Sequence, residues 1–256
     1  MAPDAAQDRA VFLHGQPGAG AQWHGVTAAL GGSVVAVTPD RPGYGHSPHP
    51  AGGIRANAEW LGDLLADGGG APSIVVAHSW AGAVGIEVAR RRPDAVRGLV
   101  LIASVGPGAI TPFDRVLARA FIGEALTWPM FQFGDPILRR ALRRQVNDPS
   151  LRAELLASMD ANRSRHAWRT FLAEQRSLVF ELPSVVEDLS SVATPTVIVA
   201  GTRDRVVPFG IARRLHAELG SAELTPVEGG GHDLHRSHPH AIADAVHQLL
   251  AATPRR

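Results

Sequence analysis

The amino-acid sequence predicts an α/β fold, a mostly parallel sheet with helices on both faces and one helical insertion. Three observations carry this prediction. Residues 73–82 read Ser-Ile-Val-Val-Ala-His-Ser-Trp-Ala-Gly, an apolar run that passes through a serine framed by small residues into helix-like sequence: a strand, a sharp turn and a helix. Other β-branched runs alternate with stretches of helical spacing along the chain. That rhythm is interrupted once, between 107 and about 188, where the sequence reads as a series of helices with no strand between them.

In order, residues 2–8 read as a loose tail and 9–13 as a short buried strand. Residues 14–20 are rich in Gly and Pro and form a loop. A helix is expected over 23–30, a strand over 33–37 and a Gly-punctuated loop over 40–47. Residues 54–66 have helical spacing, with Ile54, Ala58, Leu61 and Leu65 on one face. In the helix after Ser79, Gly82, Gly85 and Ala89 lie along one side and permit close approach to the sheet. Arg90 to Arg92 suit its C-terminal end, and Pro93 stops it. Residues 96–103 are a fourth strand. Within the insertion, helices are expected over 113–121, 136–145, 150–162 and 166–178. Strands over 196–200 and 223–227 and helices over 208–219 and 239–250 return to the core.

Two readings of Ser79 stand side by side: a serine N-cap on an ordinary helix, or a nucleophile lifted out of the sheet by a strained turn with a helix N-terminus aimed at it. The G-x-S-x-G form of such a turn carries glycines where this chain has Ala77 and Ala81, with Gly82 one place later. A serine hydroxyl needs a base held by a third group. Gly201-Thr202-Arg203-Asp204 puts a carboxylate just past the end of the strand over 196–200, and Gly229-Gly230-Gly231-His232 puts an imidazole on a flexible loop. Upstream, His14-Gly15-Gln16-Pro17-Gly18 follows the first strand. The order Ser79, Asp204, His232 is that of the α/β-hydrolases. With these four motifs in sequence, nearly the whole chain resembles the α/β-hydrolase superfamily, of the serine-nucleophile type with a cap domain.

The resemblance implies an α/β-hydrolase fold with a core over 1–106 and 189–256 and a helical cap, or lid, over 107–188. It implies Ser79, His232 and Asp204 as a catalytic triad, with the N–H groups of Gln16 and Trp80 as the oxyanion hole. Pro17 has no N–H to offer. The strand over 96–103 ends in Ser104 and not in a carboxylate, which some members carry there, and this favours Asp204. His14 is read as a packing and turn residue, and the 40–47 loop as mainly structural. The superfamily's usual opening antiparallel hairpin has no counterpart before residue 9, so the 33–37 strand is expected at an exposed edge, and homo-oligomer formation is left open.

Six of the eight phenylalanines fall in the insertion, with Trp128, Met130 and Trp168. Cap helices need a core of their own, so packing accounts for many of these. The stretch Trp128-Pro129-Met130-Phe131-Gln132-Phe133 is too apolar and Pro-broken for a solvated loop, and Trp128, Met130, Phe131, Phe133 and Trp168 are candidates to line an apolar substrate pocket. The pairs Arg139-Arg140 and Arg143-Arg144 read as a solvated helix face or as a guide for a substrate carboxylate. His232, His235 and His238 have the spacing His-x-x-His-x-x-His, with His240 beyond. A metal there would compete with His232 as base, so neither metal nor cofactor is expected.

Composition excludes other classes. The 256 residues suit one domain with an insertion. The formal net charge of +1 gives no electrostatic case for nucleic acid or an acidic membrane. All 25 basic residues are arginine, so there is no lysine for a Schiff base. Without cysteine there is no disulfide, thiolate nucleophile or thiolate metal site. No signal peptide is read at the N-terminus and no apolar run approaches the ~18 residues of a membrane span, so a cytoplasmic location is expected. The expected reaction is hydrolysis of a carboxylic ester or thioester of an apolar small molecule through an acyl-enzyme. Alternatives are a C–C bond hydrolase, a biosynthetic lyase or cyclase on the same triad, or a non-catalytic receptor of this fold. A serine nucleophile argues against haloalkane dehalogenases and epoxide hydrolases, which use aspartate there.

Overall fold

The computed structural model describes residues 7–68, 71–145, 149–161 and 167–253, without side-chain detail at 134–138, 141–145, 150–151, 154–155, 158 and 161. Its six strands are β1 (Asp8–Leu13), β2 (Val34–Val37), β3 (Ser73–His78), β4 (Val96–Ile102), β5 (Thr196–Gly201) and β6 (Ala222–Val227). They form one sheet in the order β2-β1-β3-β4-β5-β6, and every neighbouring pair is parallel. The chain first steps from β1 to β2 and then crosses back to β3 on the far side of β1. Such a reversal opens a crevice at the carboxyl ends of the strands. As expected, β2 is a terminal strand of the described sheet.

Alternation along each strand sorts side chains to two faces. Leu13, Val75, Ala77, Leu99, Leu101 and Ile198 join a core built with α2 (Ile54–Asp67) and α3 (Ala81–Arg91). Ala10, Phe12, Ile74, Val76, Val100 and Val199 join a second core with Trp23, α1 (His24–Leu30) and, at the C-terminal end of the chain, the helix Pro239–Ala252. Because both faces are covered, the central strands carry near-continuous apolar runs, Ile74 to Ala77 in β3 and Gly98 to Ile102 in β4. Ile54, Ala58, Leu61 and Leu65 are the buried face of α2, as their spacing predicts.

Between β4 and β5 lie α4 (Pro112–Leu117), α5 (Ile122–Gln145), α6 (Pro149–Ala161), α7 (Ala167–Phe180) and the short α8 (Leu182–Val185). Residues after β5 add α9 (Phe209–Glu218), α10 (Leu234–Ser237) and α11 (Pro239–Ala252). Two expectations are corrected here. The helix expected over 113–121 is shorter: Thr111 caps it in a reciprocal box with Asp114, and Phe121, at φ 64°, sits in the left-handed region that ends a helical run. The apolar stretch 128–133 is not a break before a helix at 136 but part of α5, which runs through both Pro129 and Pro136. Packing overrides propensity at this point: Gly123 and Thr127 are buried, a Cβ on Gly123 would lie 2.7 Å from Leu172 of α7, and Phe131 meets Phe171 at 5.5 Å between ring centroids. Among the described residues, no helix is long and apolar enough to cross a membrane.

Candidate active site

The carboxyl ends of β1, β3, β5 and β6 lie at one edge of the sheet, on either side of β4, with Leu13 opposite Ala77 and Gly201 opposite Val227. The loops that leave them carry Gln16, Ser79, Asp204 and His232, so four segments far apart in sequence meet at one edge of the sheet.

Ser79 has φ 57°, a conformation that costs a residue with a Cβ about 1–2 kcal/mol. The turn is held by Ser79 N–H donating to the Ile102 carbonyl at 2.9 Å and by the Ser79 carbonyl accepting from Gly82 and Val105 N–H at 3.0 and 3.2 Å. Alanine suffices at the two frame positions. Glycine is required one place later, because a Cβ on Gly82 would stand 1.8 Å from Ser104 Oγ. The turn lifts the hydroxyl towards His232, whose Nε2 lies 3.0 Å from Ser79 Oγ.

His232 Nδ1 lies 2.8 Å from Asp204 Oδ2. A carboxylate only accepts, so Nδ1 carries the proton and the Nε2 lone pair faces the serine hydroxyl. Asp204 is fixed in turn, its Oδ1 accepting from Val206 and Val207 N–H at 2.8 and 2.9 Å. Burial pushes the Asp204 carboxyl up, but the hydrogen bond and charge of His232 and the N–H groups of Val207 and Val206 outweigh it and hold the group below the usual carboxylate range. Hydroxyl, imidazole and carboxylate thus form a chain through which a serine proton can be withdrawn and an imidazolium stabilised.

The segment with Gln16 packs against this chain: a Cβ on Gly15 would fall 3.1 Å from Ser79 Cβ. Trp80, the residue after Ser79, leads into α3 and puts its N–H at a helix N-terminus. Gln16 Nε2 donates to Gln175 Oε1 at 3.1 Å, while Gln16 Oε1 is buried without a partner among the described residues. The pocket candidates are not gathered into one lining. Trp128, Met130 and Phe133 are 48%, 46% and 65% exposed, and Trp128 stacks edge-on against Phe133 at 6.2 Å. Phe131 and Trp168 are half-buried. Arg139 pairs with Asp160 at 2.9 Å and Arg140 is exposed. The side chains of Arg143 and Arg144 lie outside the described residues.

Sequence reasoning missed a second buried cluster. Arg41, wholly buried, donates through Nε to the His14 carbonyl at 2.7 Å, through Nη2 to the Gly15 carbonyl at 2.9 Å, and to the equally buried Glu174 of α7. Tyr44 donates to Glu174 at 2.6 Å, and the Trp80 indole donates to the Glu174 carbonyl at 3.1 Å. The Arg41 N–H donates to His14 Nε2 at 3.0 Å, which gives His14 the packing role expected of it. The 40–47 loop therefore ties the insertion to the sheet beside the candidate nucleophile. Asp40-Arg41-Pro42-Gly43 signalled a loop, but nothing in the sequence paired Arg41 with a residue 133 positions away.

The profile of the family described as "Alpha/beta hydrolase family" matches residues 10–245. Lipase LipV of Mycobacterium tuberculosis is 33% identical over 202 residues, covering 76% of this chain and 74% of that protein. An sn-1-specific diacylglycerol lipase of Mus musculus is 27% identical over 97% of this chain and 82% of its own length. Among solved structures, an esterase of Thermogutta terrifontis superposes with a TM-score of 0.78 at 18% identity, over 96% of this chain and 90% of that one.

Proposed function

The chain belongs to the alpha/beta hydrolase family, and within it we propose that this enzyme is a serine hydrolase that cleaves a carboxylic ester or thioester of an apolar small molecule. The observation that carries the reading is the hydrogen-bonded chain from Ser79 Oγ through His232 to Asp204, with the serine on a left-handed turn between β3 and α3. In the proposed reaction His232 Nε2 takes the Ser79 proton as Oγ attacks the carbonyl carbon. The oxyanion forms against the N–H groups of Gln16 and Trp80, donors that need no reorganisation as the charge develops. The tetrahedral intermediate then expels the alcohol or thiol, which receives the proton from His232. Water, deprotonated by His232, attacks the acyl-enzyme and releases the acid and Ser79.

The ester assignment draws support from the similar lipases. A relative in Pseudomonas putida, 26% identical over 84% of this chain, is a 2-hydroxymuconate semialdehyde hydrolase, and a ketone-bearing substrate in the same assay separates that chemistry. The family relationship to enzymes displaces the receptor alternative. The test is turnover of acyl p-nitrophenyl esters combined with intact-mass detection of a phosphonate adduct on Ser79. Ser79→Ala is expected to lose the adduct and to lower kcat by about 10³-fold or more with folding intact. Near-normal turnover by folded Ser79→Ala overturns the assignment.

A further inference from the structure

His78, which immediately precedes the candidate nucleophile, is absorbed by none of the chemistry above. Its ring lies 4.9 Å from that of His232 and 4.6 Å from that of His235. His78 Nε2 lies 3.1 Å from the His232 carbonyl oxygen. A carbonyl only accepts, so Nε2 carries the proton and Nδ1 holds the lone pair. Among the described residues that Nδ1 is buried without a partner, and so are both ring nitrogens of His235, itself 1% exposed. Buried polar atoms without partners are rare in native proteins and point to a water or ion. Beside them stands Asp233, its side chain 60% exposed and its Oδ2 4.0 Å from Arg236 Nη1, a pairing that a bound cation would replace. His78, Asp233 and His235 each offer one donor atom, all within 4.8 Å of one another.

We propose that His78, Asp233 and His235 form a binding site for a divalent metal ion of the zinc type, and that occupancy of this site inhibits the enzyme. The donor set of two imidazoles and a carboxylate suits Zn²⁺, Co²⁺ or Ni²⁺ and leaves a fourth position for water. Three donors no more than 4.8 Å apart can share a centre about 2.8 Å from each (4.8 divided by √3). Reaching zinc–ligand distances of about 2.1 Å then needs an inward movement of roughly 0.7 Å per donor. Buried imidazoles are ready ligands because they are already neutral: burial, and then the charge of His232, push His78 down to about 4, and burial with the charge of His78 pushes His235 well below its ordinary range. A ligating histidine usually gives its other N–H to a carbonyl or carboxylate, as His78 gives Nε2–H to His232. The exposed carboxylate supplies the entry path.

The site leaves out the His232 ring, so metal and base do not compete for one nitrogen, which is what a site on the sequential histidines would have required. Its effect on catalysis is mechanical. Asp233 and His235 follow His232 closely in the chain, and drawing both towards His78 shifts the backbone of His232, whose carbonyl His78 already holds. A misplacement approaching 1 Å can cost about 10²-fold in rate, so saturating Zn²⁺ is expected to lower kcat by about tenfold or more.

The test uses tag-free wild-type protein and the metal alone. Equilibrium dialysis with Zn²⁺ should give about one ion per chain, and Co²⁺ should produce the visible absorption of a low-symmetry nitrogen and oxygen site. Asp233→Asn, at an exposed position, and His235→Gln should each abolish the Co²⁺ spectrum and the inhibition, whereas His240→Gln should change neither. Binding is read without turnover, so its outcome is independent of the proposed ester hydrolysis. A stoichiometry near zero overturns the proposal. So does inhibition that persists equally in Asp233→Asn and His235→Gln, which would place the metal on His232.

Discussion

Two buried acid–base pairs stand within one structure and behave oppositely. Asp204 and His232 meet at 2.8 Å on loops after β5 and β6, with the imidazole 17% exposed and a hydroxyl at its far nitrogen. Arg41 and Glu174 join a loop of the core to α7 with no exposure at either side chain, held by hydrogen bonds from Arg41 to the His14 and Gly15 carbonyls and from Tyr44 to Glu174. The first pair has an outlet for a proton and the second has none. An acid–base pair with a reachable third group can do chemistry, whereas one sealed on all sides can only hold two parts of the fold in register.

The sharpest way to break this contrast is to neutralise each acid in turn. Asp204→Asn keeps an oxygen for the Val206 and Val207 N–H groups but favours the wrong imidazole tautomer. It is expected to cost about 10²–10⁴ in kcat while changing stability by about 1 kcal/mol. If Asp233→Asn in metal-free buffer gave the large loss instead, the acid would be misassigned. Glu174→Gln should do the reverse in kind. It strands the Arg41 guanidinium in the interior, which typically costs about 3–5 kcal/mol, read as a lower urea midpoint at unchanged slope. Arg41→Met combined with Glu174→Met should recover much of that loss, since paired removal leaves no buried charge. Additive losses in the double variant would mean that the two side chains contribute separately.

Acid should act first through the buried imidazoles. The folded protein holds His78 neutral down to about 4, against about 6.5 in the unfolded chain. Between these values the unfolded state binds more protons, so stability is fully present above pH ~6.5 and falls as the pH drops towards 4. His14 and His235, also lowered by burial, add in the same sense. Asp204, lowered in the fold, contributes stability above about pH 4 that is lost only below it. From pH 7 to 5, His78 alone accounts for on the order of 2 kcal/mol, a fall in Tm of about 4–8 °C for a chain of this size. A Tm that is flat or rising over that interval would show that these imidazoles are solvated.

How much of this was legible depended on the range of the signal. The strands, the turn at Ser79 and the chain order Ser79, Asp204, His232 are written in local runs and loop residues, and sequence reading reached them. Gly82 was legible as a small residue, though the reason for it, Ser104, sits just past the end of β4. Arg41–Glu174 was not legible, because a buried ion pair leaves no local pattern at either end. Nor was the course of α5 through two prolines, which depends on its contacts with α7. The histidine run 232–238 was visible, but the approach of His78 to it was not: folding brings His78 from β3 to within 4.6 Å of His235 between ring centroids and leaves His238 beside Ser237.

The smallest expected effect tests the outer face of the insertion. Phe131 packs inward on Phe171, so its truncation would disturb the contact between α5 and α7 and confuse any reading of specificity. Trp128 is nearly half exposed, so Trp128→Ala should leave stability within about 0.5 kcal/mol. If this indole covers the acyl chain, it matters only for how selectivity rises with chain length. Each buried methylene is worth about 0.8 kcal/mol, so kcat/KM should rise by roughly tenfold per two carbons until the pocket is full. Trp128→Ala should flatten that rise more than it lowers the rate on the acetyl ester. A series measured from acetyl to octanoyl esters separates the outcomes: parallel slopes in wild type and variant would make Trp128 an ordinary surface side chain paired with Phe133, and the sealed Arg41–Glu174 anchor would then be the part of the insertion with an assigned role.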